Sequence, residues 1–134
     1  PNECFVALRM SFRSGHLSAA CQVPSYNNWL FGADMEPAYR HYKRLLKLLQ
    51  WRNPRDHWLL KSPEHETFLP TLFNVFPDAR VVLTHRDPVR AQGSVTSLLG
   101  TFFSMRSDKP FDAAAFEELL TPEGTAGRLK NFFR

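Results

Sequence analysis

Two segments of the sequence repeat one local pattern, and this pattern limits the folds that the chain can adopt. Each has an apolar run, a cation, a residue that favours a helix N-cap, and a proline: Trp58-Leu59-Leu60-Lys61-Ser62-Pro63 and Val82-Leu83-Thr84-His85-Arg86-Asp87-Pro88. Serine and aspartate accept hydrogen bonds from the first helical N–H groups, and proline suits the first helical turn because it lacks an N–H. The sequence therefore predicts two strand-to-helix connections.

The elements around these connections alternate between helix and strand. The apolar stripe that includes Tyr39, Tyr42 and Leu49 predicts a helix over about 36–50, and residues 57–61 and 80–85 read as strands. Helices are expected after Ser62, with a kink or restart at Pro70, and from Asp87 to about residue 103. This order favours an α/β fold with parallel strands and right-handed crossovers. We predict a partial doubly wound parallel sheet that is flanked by helices.

The length of 134 residues fits one domain, with hydrophobic and charged fractions of 43% and 22% that are typical of globular proteins. We divide it into an irregular entry segment (1–33), the alternating region (34–105) and a helical tail (106–134). The sequence begins with proline rather than methionine, so we expect it to continue a longer reading frame. Neither a leader peptide nor a membrane-spanning run is visible, which favours a cytoplasmic location. Cys4 and Cys21 lack a metal-type spacing and are expected to be free thiols.

The two cations of the repeated pattern indicate an anion site. Lys61 and Arg86 each follow a predicted strand and precede a helix, and ligands of open α/β sheets bind at that edge. A helix N-terminus also presents unpaired N–H groups to an anion. Ser94 follows Arg86 by eight residues on the predicted helix, so one phosphate can contact both side chains. The alternative is that both cations are solvated charges at strand ends.

These residues together resemble a known enzyme family. The segments Lys61-Ser62-Pro63-Glu64-His65 and Phe76-Pro77-Asp78-Ala79-Arg80-Val81-Val82, with His85-Arg86-Asp87-Pro88 and Ser94, are similar to bacterial-type sulfotransferases that use 3′-phosphoadenosine 5′-phosphosulfate (PAPS). The resemblance covers about residues 2–105. It implies a P-loop-NTPase-like fold and transfer of a sulfuryl group to a hydroxyl or amine. The family's loop for the 5′-phosphosulfate has no counterpart here, so the chain looks like a fragment that lacks it.

The resemblance also assigns roles to single residues. Arg86 and Ser94 match the element that binds the 3′-phosphate, and Lys61 matches the lysine at the bridging oxygen of the donor. The general base is His65 or Glu3. His65 follows Lys61 at a longer spacing than in the cytosolic animal enzymes, and some bacterial members use an acidic residue, to which Glu3 corresponds. PAPS is the expected co-substrate, and the scheme requires no metal.

Two other functions remain open at this stage. One is a non-catalytic nucleotide- or anion-binding domain, and the other is a small-molecule kinase of the P-loop type. His85-Arg86-Asp87 matches the start of a kinase catalytic loop, but position 92 is Gln92 instead of asparagine. We expect a small-molecule, lipid or carbohydrate acceptor, no nucleic acid and no integral membrane segment. We expect the basic face of the helix over 36–50 to be solvated, with peripheral membrane association as the alternative. The sequence does not indicate an oligomeric state.

Overall fold

The computed structural model describes residues 3–21, 23–116, 120, 121, 123, 124 and 126. Six α-helices are assigned among them: α1 (Cys4–Leu8), α2 (Gly15–Ala20), α3 (Pro24–Gly32), α4 (Glu36–Gln50), α5 (Leu69–Val75) and α6 (Pro88–Ser104). Three 3₁₀ turns accompany them, Arg9–Ser11, Pro63–Phe68 and Ala113–Phe116. Within the described residues the protein is a helical assembly connected by extended segments.

The predicted parallel sheet is wrong for the described part of the chain, where no β-strand occurs. Residues 57–61 and 80–85 have no regular secondary structure, and no backbone hydrogen bond joins them. A strand is stable only in a ladder, with its neighbour about 4.8 Å away. Here the two segments form opposite walls of a cleft, and their apolar side chains are solvated: Leu59 is 101% exposed and Val82 is 87% exposed. Their apolar composition therefore does not produce strands.

Helix α4 organises the core because its apolar stripe is buried over most of its length. Ala38, Tyr39, Tyr42 and Leu46 are all less than a tenth exposed, and the helix packs against α1 and α5. The Lys43 ammonium donates to the Val75 carbonyl (2.6 Å), which ties α4 to the end of α5. The core cluster is completed by residues of α1, α3 and α5 together with Met35: Cys4, Leu8, Leu30, Leu72 and Val75.

The helix boundaries agree closely with the sequence patterns. Helix α4 has the predicted limits, and the Asp34 carboxylate accepts from the Glu36 N–H just before it. Ser62 and Asp87 cap their helices by accepting from the N–H groups of Glu64 (3.3 Å) and Arg90 (2.8 Å). The helix after Ser62 restarts next to Pro70 as predicted, because the 3₁₀ turn ends at Phe68 and α5 begins at Leu69, with Pro70 in its first turn.

Both ends of the chain differ from the prediction or lie beyond the described residues. The entry segment 1–33 was expected to be irregular, but it contains α1, α2 and α3. In the expected helical tail, residues 113–116 form a 3₁₀ turn, while most of 117–134 lies outside the described residues. Cys4 is buried and Cys21 exposed, and both are free thiols as predicted. None of the described helices is long and apolar enough to cross a membrane.

Candidate functional site

The cleft between the two extended segments is the candidate site. Residues 56–63 line one wall and residues 78–84 the other, and its volume is about 920 Å³. Tyr42 and Leu46 from α4 contribute to its lining, as do Leu69 and Leu72 from α5. The cleft thus has a mixed apolar and charged lining, and no backbone hydrogen bond joins the two segments that contribute most of it.

Lys61 lines this cleft and contacts Glu3. The Lys61 ammonium forms an ion pair with the Glu3 carboxylate, and the Cys4 N–H donates to the Lys61 carbonyl (3.0 Å). These two contacts bring the entry segment to the position where the sequence predicts the reaction centre. The Lys61 side chain remains 71% exposed, so its charge is accessible to an anion from solvent. An exposed pair of this kind contributes little to stability and exchanges partners readily.

His65 also lines the cleft, on the 3₁₀ turn that Ser62 begins. Its Nδ1 is 2.8 Å from the hydroxyl oxygen of Tyr39, a residue with no solvent exposure. Burial lowers the pKa of His65 to about 4, because removal of water disfavours the imidazolium. Burial likewise raises the pKa of Tyr39, so this hydroxyl keeps its proton. At neutral pH the pair therefore consists of an uncharged imidazole and an uncharged phenol.

Glu64 fixes the turn that presents His65. Its carboxylate accepts from the Gly15 N–H (2.5 Å) and from the Ser14 hydroxyl (2.9 Å), at the start of α2. Burial raises the pKa of Glu64, and these two hydrogen bonds act in the opposite direction. The carboxylate faces the unpaired N–H groups of α2, where a negative charge is favourable. Glu64 is consequently a structural tie between the entry segment and the 3₁₀ turn.

Tyr42 lies next to this network on α4. Its hydroxyl is buried beside the Cys4 thiol without a well-aligned hydrogen bond to any described residue, and its ring is 6.3 Å from the His65 ring. Burial, followed by the neighbouring Cys4 thiol, raises the pKa of Tyr42. Burial also raises the pKa of Cys4, so the thiol stays protonated. Tyr42 and Cys4 are thus uncharged at neutral pH, and the cations in the lining of the cleft are Lys61 and Arg80.

The structure does not bring Arg86 and Ser94 to this cleft. Both side chains are exposed, Arg86 just before α6 and Ser94 two turns into it, and neither lines the cleft. Arg86 makes no ion pair within the described part of the chain. The expectation that Lys61 and Arg86 share a sheet edge is wrong, because the described residues around them form no sheet. The assignment of Arg86 and Ser94 to a phosphate stays a prediction.

Two residues of the site were not predicted to act there. Tyr39 and Tyr42 belong to the apolar stripe of α4, and the sequence analysis assigned them only to packing. The signal that identifies them is chemical, because a tyrosine buried in a core needs a hydrogen-bond partner for its hydroxyl. With Lys61, Glu3 and His65 they form a site that can bind an anion and can hold a neutral imidazole beside it.

A comparison with protein families gives a match. The model of the sulfotransferase family matches residues 1–132, nearly the whole chain. No curated protein and no solved structure matches the chain.

Proposed function

The chain belongs to the sulfotransferase family, and we propose that it transfers the sulfuryl group of PAPS to a hydroxyl or amine acceptor in the cleft between residues 56–63 and 78–84. The observation that carries this proposal is that Lys61 and His65 line the same cleft and that Glu3 pairs with Lys61. These are the residues that the resemblance assigns to the reaction centre. The contact between Glu3 and Lys61 joins positions that are 58 residues apart in the sequence.

Sulfuryl transfer places specific demands on such a site. The acceptor oxygen or nitrogen attacks the sulfur in line with the bridging oxygen, the bond between sulfur and that oxygen breaks, and the acceptor loses its proton to a base. Negative charge grows on the bridging oxygen of the leaving 3′-phosphoadenosine 5′-phosphate. Lys61 supplies the cation for this charge, and such an interaction lowers the barrier because it strengthens in the transition state. The base is His65 or Glu3.

Arg86 and Ser94 complete the proposal as the contacts of the 3′-phosphate. The support for them is the spacing in the sequence and the position of Arg86 at the capped start of α6, where N–H groups favour an anion. Arg86 is exposed and has no ionic partner among the described residues, so its guanidinium is available to a phosphate. A guanidinium also binds phosphate through two parallel hydrogen bonds.

A calorimetric titration tests the choice of donor. We expect the protein to bind 3′-phosphoadenosine 5′-phosphate without a metal and to bind adenosine 5′-phosphate at least tenfold more weakly, because the second nucleotide lacks the 3′-phosphate. Equal affinities would contradict the assigned phosphate site. Binding of ATP that depends on magnesium, with no binding of the 3′-phosphorylated nucleotide, would instead indicate a kinase. Nucleotide binding without any transfer to hydroxyl or amine acceptors would indicate a binding domain.

A further inference from the structure

We infer that Tyr39 is a positioning residue that holds His65 as the neutral tautomer with its proton on Nε2, so that His65 offers a hydrogen-bond donor to the cleft and does not act as the general base. The identity of the ligand that accepts from this donor, a sulfuryl or phosphate oxygen, depends on the proposed function. The tautomer itself rests only on the contacts of the two side chains.

The argument begins with the buried hydroxyl of Tyr39. His65 Nδ1 is its partner at 2.8 Å, and the hydroxyl makes no other hydrogen bond to a described residue. If Nδ1 carried a proton, it would donate to the tyrosine oxygen, and the Tyr39 O–H would then be a buried donor without an acceptor. That arrangement is costly, because a buried polar group that has lost its partner also has no water. The favoured arrangement has Tyr39 donating to an unprotonated Nδ1.

The protonation state of Nε2 follows from that of Nδ1. A neutral imidazole carries one proton, so an unprotonated Nδ1 places that proton on Nε2. Nε2 makes no hydrogen bond to any described residue, while the ring lines the cleft. Of the neighbouring titratable groups, Glu64 is directed to Ser14 and Gly15, and Tyr42 is a protonated phenol. Neither of them competes for Nδ1.

This tautomer determines whether His65 acts as a hydrogen-bond donor or as the base. A base must accept a proton, and the only unprotonated nitrogen of this imidazole is occupied by Tyr39. His65 is therefore suited to donate its Nε2–H to a ligand oxygen in the cleft that Lys61 also lines. Glu3, whose carboxylate pairs with Lys61, is then the candidate that takes the proton of the acceptor.

Nitrogen-15 NMR of the protein labelled at histidine tests this inference without nucleotide. The His65 signals are identified by their loss in His65→Asn. We expect Nδ1 to have the shift of an unprotonated nitrogen and Nε2 that of a protonated one, throughout pH 6–8. Tyr39→Phe should mix the two tautomers and move both shifts. Tyr42→Phe, which removes a hydroxyl of the same helix that makes no hydrogen bond to His65, should leave them unchanged.

The result that overturns the inference is a proton on Nδ1 in the unsubstituted protein. This measurement uses the unsubstituted protein alone, so poor folding of Tyr39→Phe does not affect it. An unchanged spectrum in a folded Tyr39→Phe would also contradict the role of Tyr39. Failure of the protein to bind 3′-phosphoadenosine 5′-phosphate would count against the proposed function alone, because the tautomer is measured in the free protein.

Discussion

Acid should destabilise this protein through His65, and the structure sets the size of the effect. Burial lowers the pKa of His65 from 6.5 to about 4, so the unfolded state binds a proton at a higher pH than the folded state does. The difference corresponds to about 3 kcal/mol of folding free energy. The favourable contribution is complete above about pH 6.5 and is lost as the pH falls towards 4. By linkage the loss is about 2 kcal/mol at pH 5 and about 3 kcal/mol at pH 4.

The variant that isolates this effect is His65→Asn. Asparagine does not titrate, and its side-chain oxygen can accept the Tyr39 hydroxyl proton in place of Nδ1. Urea unfolding of both proteins from pH 7 to pH 4 gives a difference curve in which other titrating groups cancel, including Glu64, whose raised pKa acts in the opposite direction. We expect the unsubstituted protein to lose about 3 kcal/mol relative to the variant over this range.

The matched control is His41→Asn, because His41 lies on α4 with an exposed side chain. Because that side chain is exposed, the substitution should change the free energy of unfolding at pH 7 by less than about 0.5 kcal/mol. A flat difference curve for His65→Asn would refute the reasoning, since it would mean that the His65 imidazole is protonated equally easily in both states. A curve of the opposite sign would mean that a partner stabilises the imidazolium.

The remaining predictions concern the tie to α2 and the phosphate contact. Glu64→Ala should lower the free energy of unfolding by about 2–3 kcal/mol, because it leaves the Gly15 N–H without its acceptor and the Ser14 hydroxyl with only the Phe5 carbonyl (3.2 Å). Glu64→Gln should cost less in the same urea titration, because the amide oxygen can still accept one hydrogen bond, and a loss below about 0.5 kcal/mol in Glu64→Ala would contradict the structural role of Glu64. Arg86→Ala should weaken binding of 3′-phosphoadenosine 5′-phosphate at least tenfold and leave adenosine 5′-phosphate unaffected, whereas Arg90→Ala, one turn further on, should change neither; calorimetry that found equal effects for the two variants would contradict the assignment.

The helices were predictable because their determinants are local. The Ser62 and Asp87 caps, the proline after each, and the apolar spacing in α4 all lie within a few residues of the elements they define. Leu49 shows the limit of the same pattern. It belongs to the predicted stripe but is 54% exposed, because the last turn of α4 extends beyond the core.

The sheet was not predictable because a strand depends on a partner that the segment does not encode. Residues 80–85 have the β-branched composition of a strand, yet the segment that lies opposite them is across the cleft. The residues of the site also differ in whether a local pattern or a long-range contact identifies them. Lys61 and His65 came from a local pattern, whereas the Tyr39–His65 contact joins positions 26 residues apart and only the packing of α4 reveals it.

The central claim is that Lys61 stabilises the leaving nucleotide during sulfuryl transfer, and turnover with PAPS tests it most directly. Formation of 3′-phosphoadenosine 5′-phosphate, with a matching sulfuryl gain on a hydroxyl or amine acceptor, is measured by mass spectrometry. The comparison is with Lys61→Met and with Lys47→Met, whose lysine is exposed on α4 away from the cleft lining. We predict that Lys61→Met lowers turnover at least 100-fold with less than a tenfold loss of nucleotide affinity, while Lys47→Met is unaffected. Normal turnover in Lys61→Met, or losses of turnover and affinity that are equal, would contradict the claim.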